Sequence, residues 1–355
     1  MRRNDAAMNH ALTTGLLVLT FLMLSGCGRH VPRRIARESA AMNTYVTVTV
    51  FSETADSATI DRSIDAALAE IRRVEAMATD YADSSEVGRI NAAAGRDTVT
   101  VSAGLAALLH QARTYADASG GAFDPTVGPL VKKWDFLSAH PAVPDSGSIA
   151  ALLRLVGFRL MSLDGRNVYL PRRGMAIDLG AIAKGYAVDC AVRVLRSQGV
   201  QHCIVDLGGN LGVWWEGTHM FDSTAATIFV RHPRIDDALF GKFLCGSAGI
   251  STSGDYQRFF MDGGRRYHHI LNPATGYPAR GAVSVTVVAR DATTADALST
   301  LVFVLGRDRG MQFLRGLPGV EGMIICDDGD SLGVVSTPGM EAQFERFGVG
   351  NDRHD

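Results

Sequence analysis

"HCIVDLGGNLGVWW", residues 202–215, is a run whose central glycines admit two opposite folds. Read as strand, glycine-rich turn and helix, it would be the dinucleotide fingerprint of a doubly wound parallel sheet. Read as strand, turn and strand, it is a β-hairpin. The residues after the glycines decide between them. "VWW" continues as bulky apolar chain without helical spacing, so the dinucleotide reading fails its own context. A tight turn, in which glycine lets the backbone approach a neighbour, takes its place.

The flanking segments extend the hairpin reading. "MNTYVTVTVF" (42–51) alternates and is rich in Thr and Val, which predicts a strand. Residues 57–77 set Ile60, Ile64, Leu68, Ile71 and Val74 on one helical face. Residues 102–121 read as a second helix, with Ser102 as N-cap and Gly120-Gly121 as its stop. "FDPTVGPLVKKWDF" (123–136) reads as a structured loop, and a short helix near 148–156 precedes strand-like "NVYL". "MAIDLGAIAKGYAVDCAVRVLRSQG" (175–199) is an apolar run, a glycine turn and an Ala-rich helix. A strand at 282–290, a helix at 293–306 and a closing hairpin of "VEGMIICDD" and "LGVVSTPGM" complete the chain. Hairpins mixed with helices predict an α+β fold: mixed or antiparallel sheets flanked by helices in two intimately packed subdomains.

The ends carry a different signal. Arg2 and Arg3 precede the apolar run "ALTTGLLVLTFLML" (11–24), which is short for a membrane span, and "LSGC" follows, ending at Cys27. This is the pattern of a bacterial lipoprotein signal over 1–26, with lipid on the Cys27 thiol. An ordinary secretory signal that happens to contain a cysteine is the alternative. Residues 27–40 read as a lipidated polar tether, 41–346 as the folded domain and 347–355 as a polar tail. The expected location is the cell envelope, with the domain facing the periplasm and anchored to a membrane. A formal net charge of −2 and sparse Lys give no basic stripe, which argues against nucleic acid. Cys190, Cys203, Cys245 and Cys326 lack CxxC spacing and form no zinc motif.

Three segments could carry chemistry. In "IDLGAIAKGYA", Asp178 ends a strand, Gly180 frees the turn and Lys184 opens a helix, a start suited to anions, although for this segment alone an ordinary strand-to-helix connection with a surface lysine is the favoured reading. "TTADALST" (293–300) sets Asp296 and Thr300 on one helical face as hard oxygen ligands of the kind Mg²⁺ takes, although taken alone it reads as a helix start with Thr293 or Thr294 as N-cap and Asp296 favouring the dipole. "HHILNPATGYPA" (268–279) reads on its own as two strand-end histidines, one packed and one exposed, ahead of a turn; near Asp255, Tyr256 and "STSG" (251–254), His268 or His269 is also a candidate general base.

Taken in order, "MNT", "DYADSSEVGRIN", "FDPTVGPLVKKWDF", "DLGAIAKGYAVD", "DLGGN", "STSGDYQRFF", "HHILNPATGYP" and "TTADALST" resemble the ApbE family over nearly the whole chain beyond the signal. The resemblance implies a FAD:protein FMN transferase. Such an enzyme binds FAD and Mg²⁺, moves FMN to a Thr or Ser hydroxyl of an exported redox protein and releases AMP. It implies flavin-nucleotide contacts at Met42, Tyr81, Ala122, Phe123, Asp124, Asp178, Lys184 and Ile270. It implies a metal held by Asp296, Thr300 and the Ala181 carbonyl, with Ser299 as a further oxygen, and His269 as catalytic base in preference to His268. The implied acceptor carries a Ser/Thr-Gly-Ala-Thr-type motif, as in quinone reductase and related electron-transfer subunits. An FAD pyrophosphatase and a non-catalytic flavin-binding lipoprotein are the other readings. Asn43 departs from the family, which has Gly there, and the Tyr81 segment is slightly unusual.

Overall fold

The computed structural model describes residues 33–52, 55–217, 226–329 and 331–348. The signal-like segment, Cys27 and the last residues of the tail lie outside these. Eight strands form the main sheet: β1 (Arg33–Ala41), β2 (Thr44–Ser52), β3 (His202–Leu207), β4 (Asn210–Trp215), β5 (Ala248–Gly254), β6 (Ser284–Ala289), β7 (Glu321–Asp327) and β8 (Leu332–Ser336). They lie side by side in chain order, each antiparallel to the next. An antiparallel meander needs no crossover, so helices enter only as insertions between neighbouring strands. The helices that matter for the site are α1 (Ser57–Ala78), α2 (Ala103–Ala118), α3 (Gly128–Trp134), α4 (Ala183–Ser197) and α5 (Ala292–Leu305).

The glycine pair behaves as the hairpin reading requires. Leu207 pairs with Asn210, leaving Gly208 and Gly209 as a two-residue turn with φ of 62° and 89°. Positive φ at both central residues matches the twist of the flanking strands. A Cβ on Gly208 would fall 2.4 Å from Thr44 Oγ1, so the glycine also permits a close approach.

One expectation needs correction. Residues 33–40 are not tether: with Ala41 they pair with β2 in register from Arg33↔Ser52 to Ala41↔Thr44. Met42 and Asn43 are therefore the turn of a second hairpin and not the start of a strand, with φ of 52° and 59°. β1 reads as polar because it is an edge strand with every second residue exposed, and charged residues protect such an edge. Its Arg37 pairs with Asp61 at 2.7 Å and with Asp65, both on α1. Asn at position 43 is consistent with the left-handed backbone, which Asn tolerates better than other residues with a Cβ.

Alternation along each strand separates two cores. Val46, Val48, Val50 and Val205 face one way, against Ile64 and Ile71 of α1, Ala187 of α4 and Leu298 of α5. Phe51, Ile204 and Val213 face the other, against Ile228 and Phe243 of a three-stranded sheet formed by Ala226–Arg231, Leu239–Cys245 and Glu345–Arg346. A third cluster gathers around Trp134. The segment expected as a loop over 123–136 thus contains α3, which begins with Pro129 in its first turn and ends at Trp134. Trp134 Nε1 donates to Gly276 O at 2.8 Å, tying α3 to the histidine-bearing segment. The four cysteines within the fold are buried thiols.

Candidate active site

A cleft of about 1680 Å³ runs between these units. Its lining includes Met42, Tyr81, Ala122, Phe123, Asp124, Asp178, Ala181, Lys184, His269, Ile270, Asp296 and Thr300. Segments separated by up to 258 positions, from Met42 to Thr300, therefore converge on one space. Ser299 does not line the cleft. It is fully buried behind Thr300, its hydroxyl 3.0 Å from Ser251 Oγ, 2.9 Å from Ser253 Oγ and within 3.0 Å of Asp296 O.

The two histidines are separated by strand alternation. His268 closes the strand Arg265–His268 and is 5 % exposed, with Nε2 3.0 Å from Ala279 O and its ring edge-on to Phe303 at 5.4 Å. His269 opens into the cleft. Its amide donates to Arg258 O at 3.1 Å, and its Nδ1 lies 3.3 Å from the same oxygen. A carbonyl can only accept, so Nδ1 carries the proton and Nε2 is the basic nitrogen. Burial, then the charges of Arg258, Lys184 and His268, hold the His269 imidazole down to about 3. The ring is neutral at neutral pH.

The helix start at α4 holds an anion, and that anion is part of the protein. No side chain from the preceding turn caps α4. Instead Asp296 Oδ2, from α5, accepts the Gly185 amide at 2.8 Å, and Lys184 Nζ, which donates to Gly180 O at 3.0 Å, stands 3.8 Å from Oδ1. The Gly185 amide of this helix start thus serves Asp296, and Lys184 Nζ is the cation that lines the cleft. Gly185 makes the approach possible, since a Cβ there would meet Ala292 O at 2.2 Å and Asp296 Cβ at 2.7 Å. The N-cap of α5 is Asp291, which accepts from Thr294 N at 2.7 Å, rather than Thr293 or Thr294. Asp189 of α4 adds a second cap, its carboxylate accepting the Ala292 and Thr293 amides at 2.8 Å each.

The donor set fits a hard cation. A carboxylate offers about four acceptor positions, and the Gly185 amide with the nearby Lys184 ammonium leaves Asp296 capacity toward the cleft. Burial holds its carboxyl above the ordinary carboxylate range despite Lys184, the mark of a buried charge short of positive partners. Thr300 lies one turn further along α5, with Oγ1 3.2 Å from Ser253 Oγ. Among the described residues no group of three or more His, Cys, Asp and Glu gathers as a metal cluster. A cation here would rely on one carboxylate with hydroxyl and carbonyl oxygens, a set suited to an ion that keeps water and substrate ligands.

The remaining residues divide by how free they are. Asp124 is buried, and its carboxylate is occupied by Thr126 N at 2.8 Å, Thr126 Oγ1 at 2.6 Å and Phe158 N at 3.0 Å, so it shapes the Ala122–Phe123 loop. Tyr81 is 70 % exposed at the rim. Asp178 accepts the Gly180 amide at 2.8 Å and is held up to about 6 by burial and then by Asp80. Met42 N donates to Glu75 Oε1 at 2.7 Å, anchoring the β1–β2 turn. Sequence reasoning gave no role to Arg258, Asp80 or Glu75, which line the cleft together with Ser251 of the "STSG" segment. The i, i+2 spacing of Ser251 and Ser253 on a strand places both on one face, whereas Arg258, Asp80 and Glu75 carried no such signal.

Fold and cleft together define a group-transfer enzyme. The ApbE family model matches residues 42–324, and the chain belongs to the ApbE family. A FAD:protein FMN transferase of Treponema pallidum (strain Nichols) is 34% identical over 329 residues, covering 88% of this chain and 91% of that protein. One of Klebsiella pneumoniae (strain 342) is 36% identical over 275 residues, covering 76% and 83%. The crystal structure of the ApbE protein of Thermotoga maritima aligns with a TM-score of 0.77 at 33% identity, over 88% of this chain and 99% of that one. The flavin transferase ApbE of Vibrio cholerae aligns equally, with a TM-score of 0.77 at 28% identity over 88% and 99%.

Proposed function

We propose that this chain cleaves FAD and transfers FMN to a Ser or Thr hydroxyl of an exported redox protein bearing a Ser/Thr-Gly-Ala-Thr-type motif, releasing AMP. The observation that carries this reading is the convergence of His269, Lys184, Asp296 and Thr300 on one cleft large enough for a dinucleotide and an incoming side chain. Met42, Tyr81 and the Ala122–Phe123 loop supply apolar and aromatic surface for the flavin side. Lys184 neutralises phosphate charge, which is the main demand of phosphoryl transfer. The acceptor oxygen bonds to the flavin-side phosphorus, the phosphoanhydride bond to AMP breaks, and the hydroxyl proton passes to His269 Nε2. Asp296, Thr300 and the Ala181 carbonyl would hold Mg²⁺, which when bound supplies further charge neutralisation on the phosphate oxygens.

Lipid anchorage at Cys27, with the domain facing the periplasm, is part of the same proposal and rests on the N-terminal pattern. No helix among the described residues is long and apolar enough to cross a membrane. The deciding experiment incubates the protein with FAD, Mg²⁺ and an acceptor domain carrying the motif. Flavin covalently on the acceptor with equimolar AMP supports the proposal. AMP without labelled acceptor makes the chain a pyrophosphatase, and intact FAD makes it a binder.

A further inference from the structure

Arg258 has a place in the cleft that the proposed reaction has not used. It immediately precedes the strand Phe259–Asp262, and His269 immediately follows the strand Arg265–His268 that pairs with it. The two residues therefore face each other across the mouth of one hairpin, and the Arg258 carbonyl receives both the amide and the ring Nδ1 of His269. The side chain goes elsewhere: it lines the cleft, and Nη2 donates to Asn43 O at 3.2 Å in the β1–β2 turn. Among the described residues it forms no ion pair with a carboxylate. Arg234 and Arg266, by contrast, both pair with Asp255, at 2.7 Å and 3.6 Å. A guanidinium has five N–H donors, and one bond to a neutral carbonyl leaves most of them, with the full charge, directed to the cleft.

We infer that Arg258 is a phosphate-binding residue of this cleft: its guanidinium takes phosphoanhydride oxygens of the bound dinucleotide together with Lys184, while its carbonyl orients the base beside them. The inference rests on the reading of FAD as substrate. Arg258 and Lys184 act on the same two groups, Asp178 and His269, so both charges bear on the same part of the cleft. A planar fork suits an oxyanion that must be aligned as well as neutralised, which a lysine alone does not do. The Asn43 carbonyl then serves as a rest for the guanidinium, and the left-handed turn at Met42-Asn43 presents it.

The test compares Arg258→Ala, Arg258→Gln and Arg258→Lys with the parent. Inorganic pyrophosphate is titrated as a competitor of FAD, and riboflavin, which has no phosphate, is titrated as a control ligand. Loss of charge-assisted hydrogen bonds predicts pyrophosphate affinity down by about tenfold to a hundredfold in the Ala and Gln variants. Arg258→Lys should recover part of it, and riboflavin binding and melting temperature should stay at parental values in all three. Parental pyrophosphate affinity in Arg258→Gln overturns the inference and leaves Arg258 as a tie between hairpin and turn. An equal loss of riboflavin binding also overturns it, because the effect is then structural. If the parent protein releases no AMP from FAD, the proposed function fails, and the pyrophosphate titration still decides the role of Arg258.

Discussion

Asp189 and Asp296 each cap the helix that carries the other. Asp189, on α4, accepts the Ala292 and Thr293 amides that open α5, and Asp296, on α5, accepts the Gly185 amide in the first turn of α4. Each carboxylate thus meets the positive end of the neighbouring helix dipole. Removing Asp189 leaves two amides and the Thr293 hydroxyl without their partner. Asp189→Ala is expected to cost about 2–3 kcal/mol, read as a lower denaturation midpoint at unchanged slope. A stability within 0.5 kcal/mol or so of the parent would remove the reciprocal cap from the account.

The exchange depends on helix proximity at Gly185. A methyl group there would sit 2.2 Å from Ala292 O, so α4 and α5 must move apart. Gly185→Ala is expected to destabilise by about 1–3 kcal/mol despite the better helix propensity of Ala, and to lower turnover by separating Lys184 from Asp296. A stabilised, fully active variant contradicts the geometry.

Asp296→Asn keeps an acceptor for the Gly185 amide while removing the charge. The fold should survive, and AMP release should fall by roughly a hundredfold or more with a weakened response to added Mg²⁺. An unchanged Mg²⁺ titration takes Asp296 out of the proposed cation site.

The pH dependence separates two groups in the cleft. His269, held down to about 3, is already neutral at pH 6, so no protonation of this base cuts activity as the pH falls from 8 to 6. The profile of kcat/KM for FAD should show no limb at the ordinary histidine value of about 6.5. Asp178, held up to about 6, gains a proton in this range, so a limb near 6 belongs to it and disappears in Asp178→Asn. A limb near 6.5 that survives Asp178→Asn but not the loss of His269 reverses the assignment. His269→Ala itself should keep FAD binding and lower transfer by about 10²–10⁴-fold.

Trp134 joins α3 to the segment after His269. It is 1 % exposed, stacks on Phe136 at 5.5 Å and on Tyr267 at 5.7 Å, and donates to Gly276 O. Trp134→Phe should cost about 1 kcal/mol for the lost hydrogen bond, and Trp134→Ala about 3–5 kcal/mol for the cavity. A Trp134→Phe variant as stable as the parent in chemical denaturation would show that the bond contributes nothing.

Several parts of this structure were legible because they are local. The spacing of Ile60, Ile64, Leu68 and Ile71 places α1, and Ser102 caps α2 by accepting the Leu105 amide at 3.2 Å, as its position predicts. "DLGGN" resolves into a hairpin because the strand residues after the glycines say so. β1 was not legible. Its polar alternation resembles a tether, and only pairing with β2 and the ion pairs of Arg37 make it a strand.

The order of chemistry-bearing residues along the chain is likewise a property of the sequence, and it sufficed to indicate the family and most of the cleft. Other facts required the folded chain: that His268 packs away from the cleft against Phe303, that Ser299 stands behind Thr300, and that Asp296 meets the start of α4. Periodicity, capping and turn preference act between residues a few positions apart, so they leave a pattern in the sequence. Which carboxylate reaches which amide across 111 positions is set by how closely two helices pack, and here a single hydrogen atom in place of a methyl group at Gly185 sets that distance.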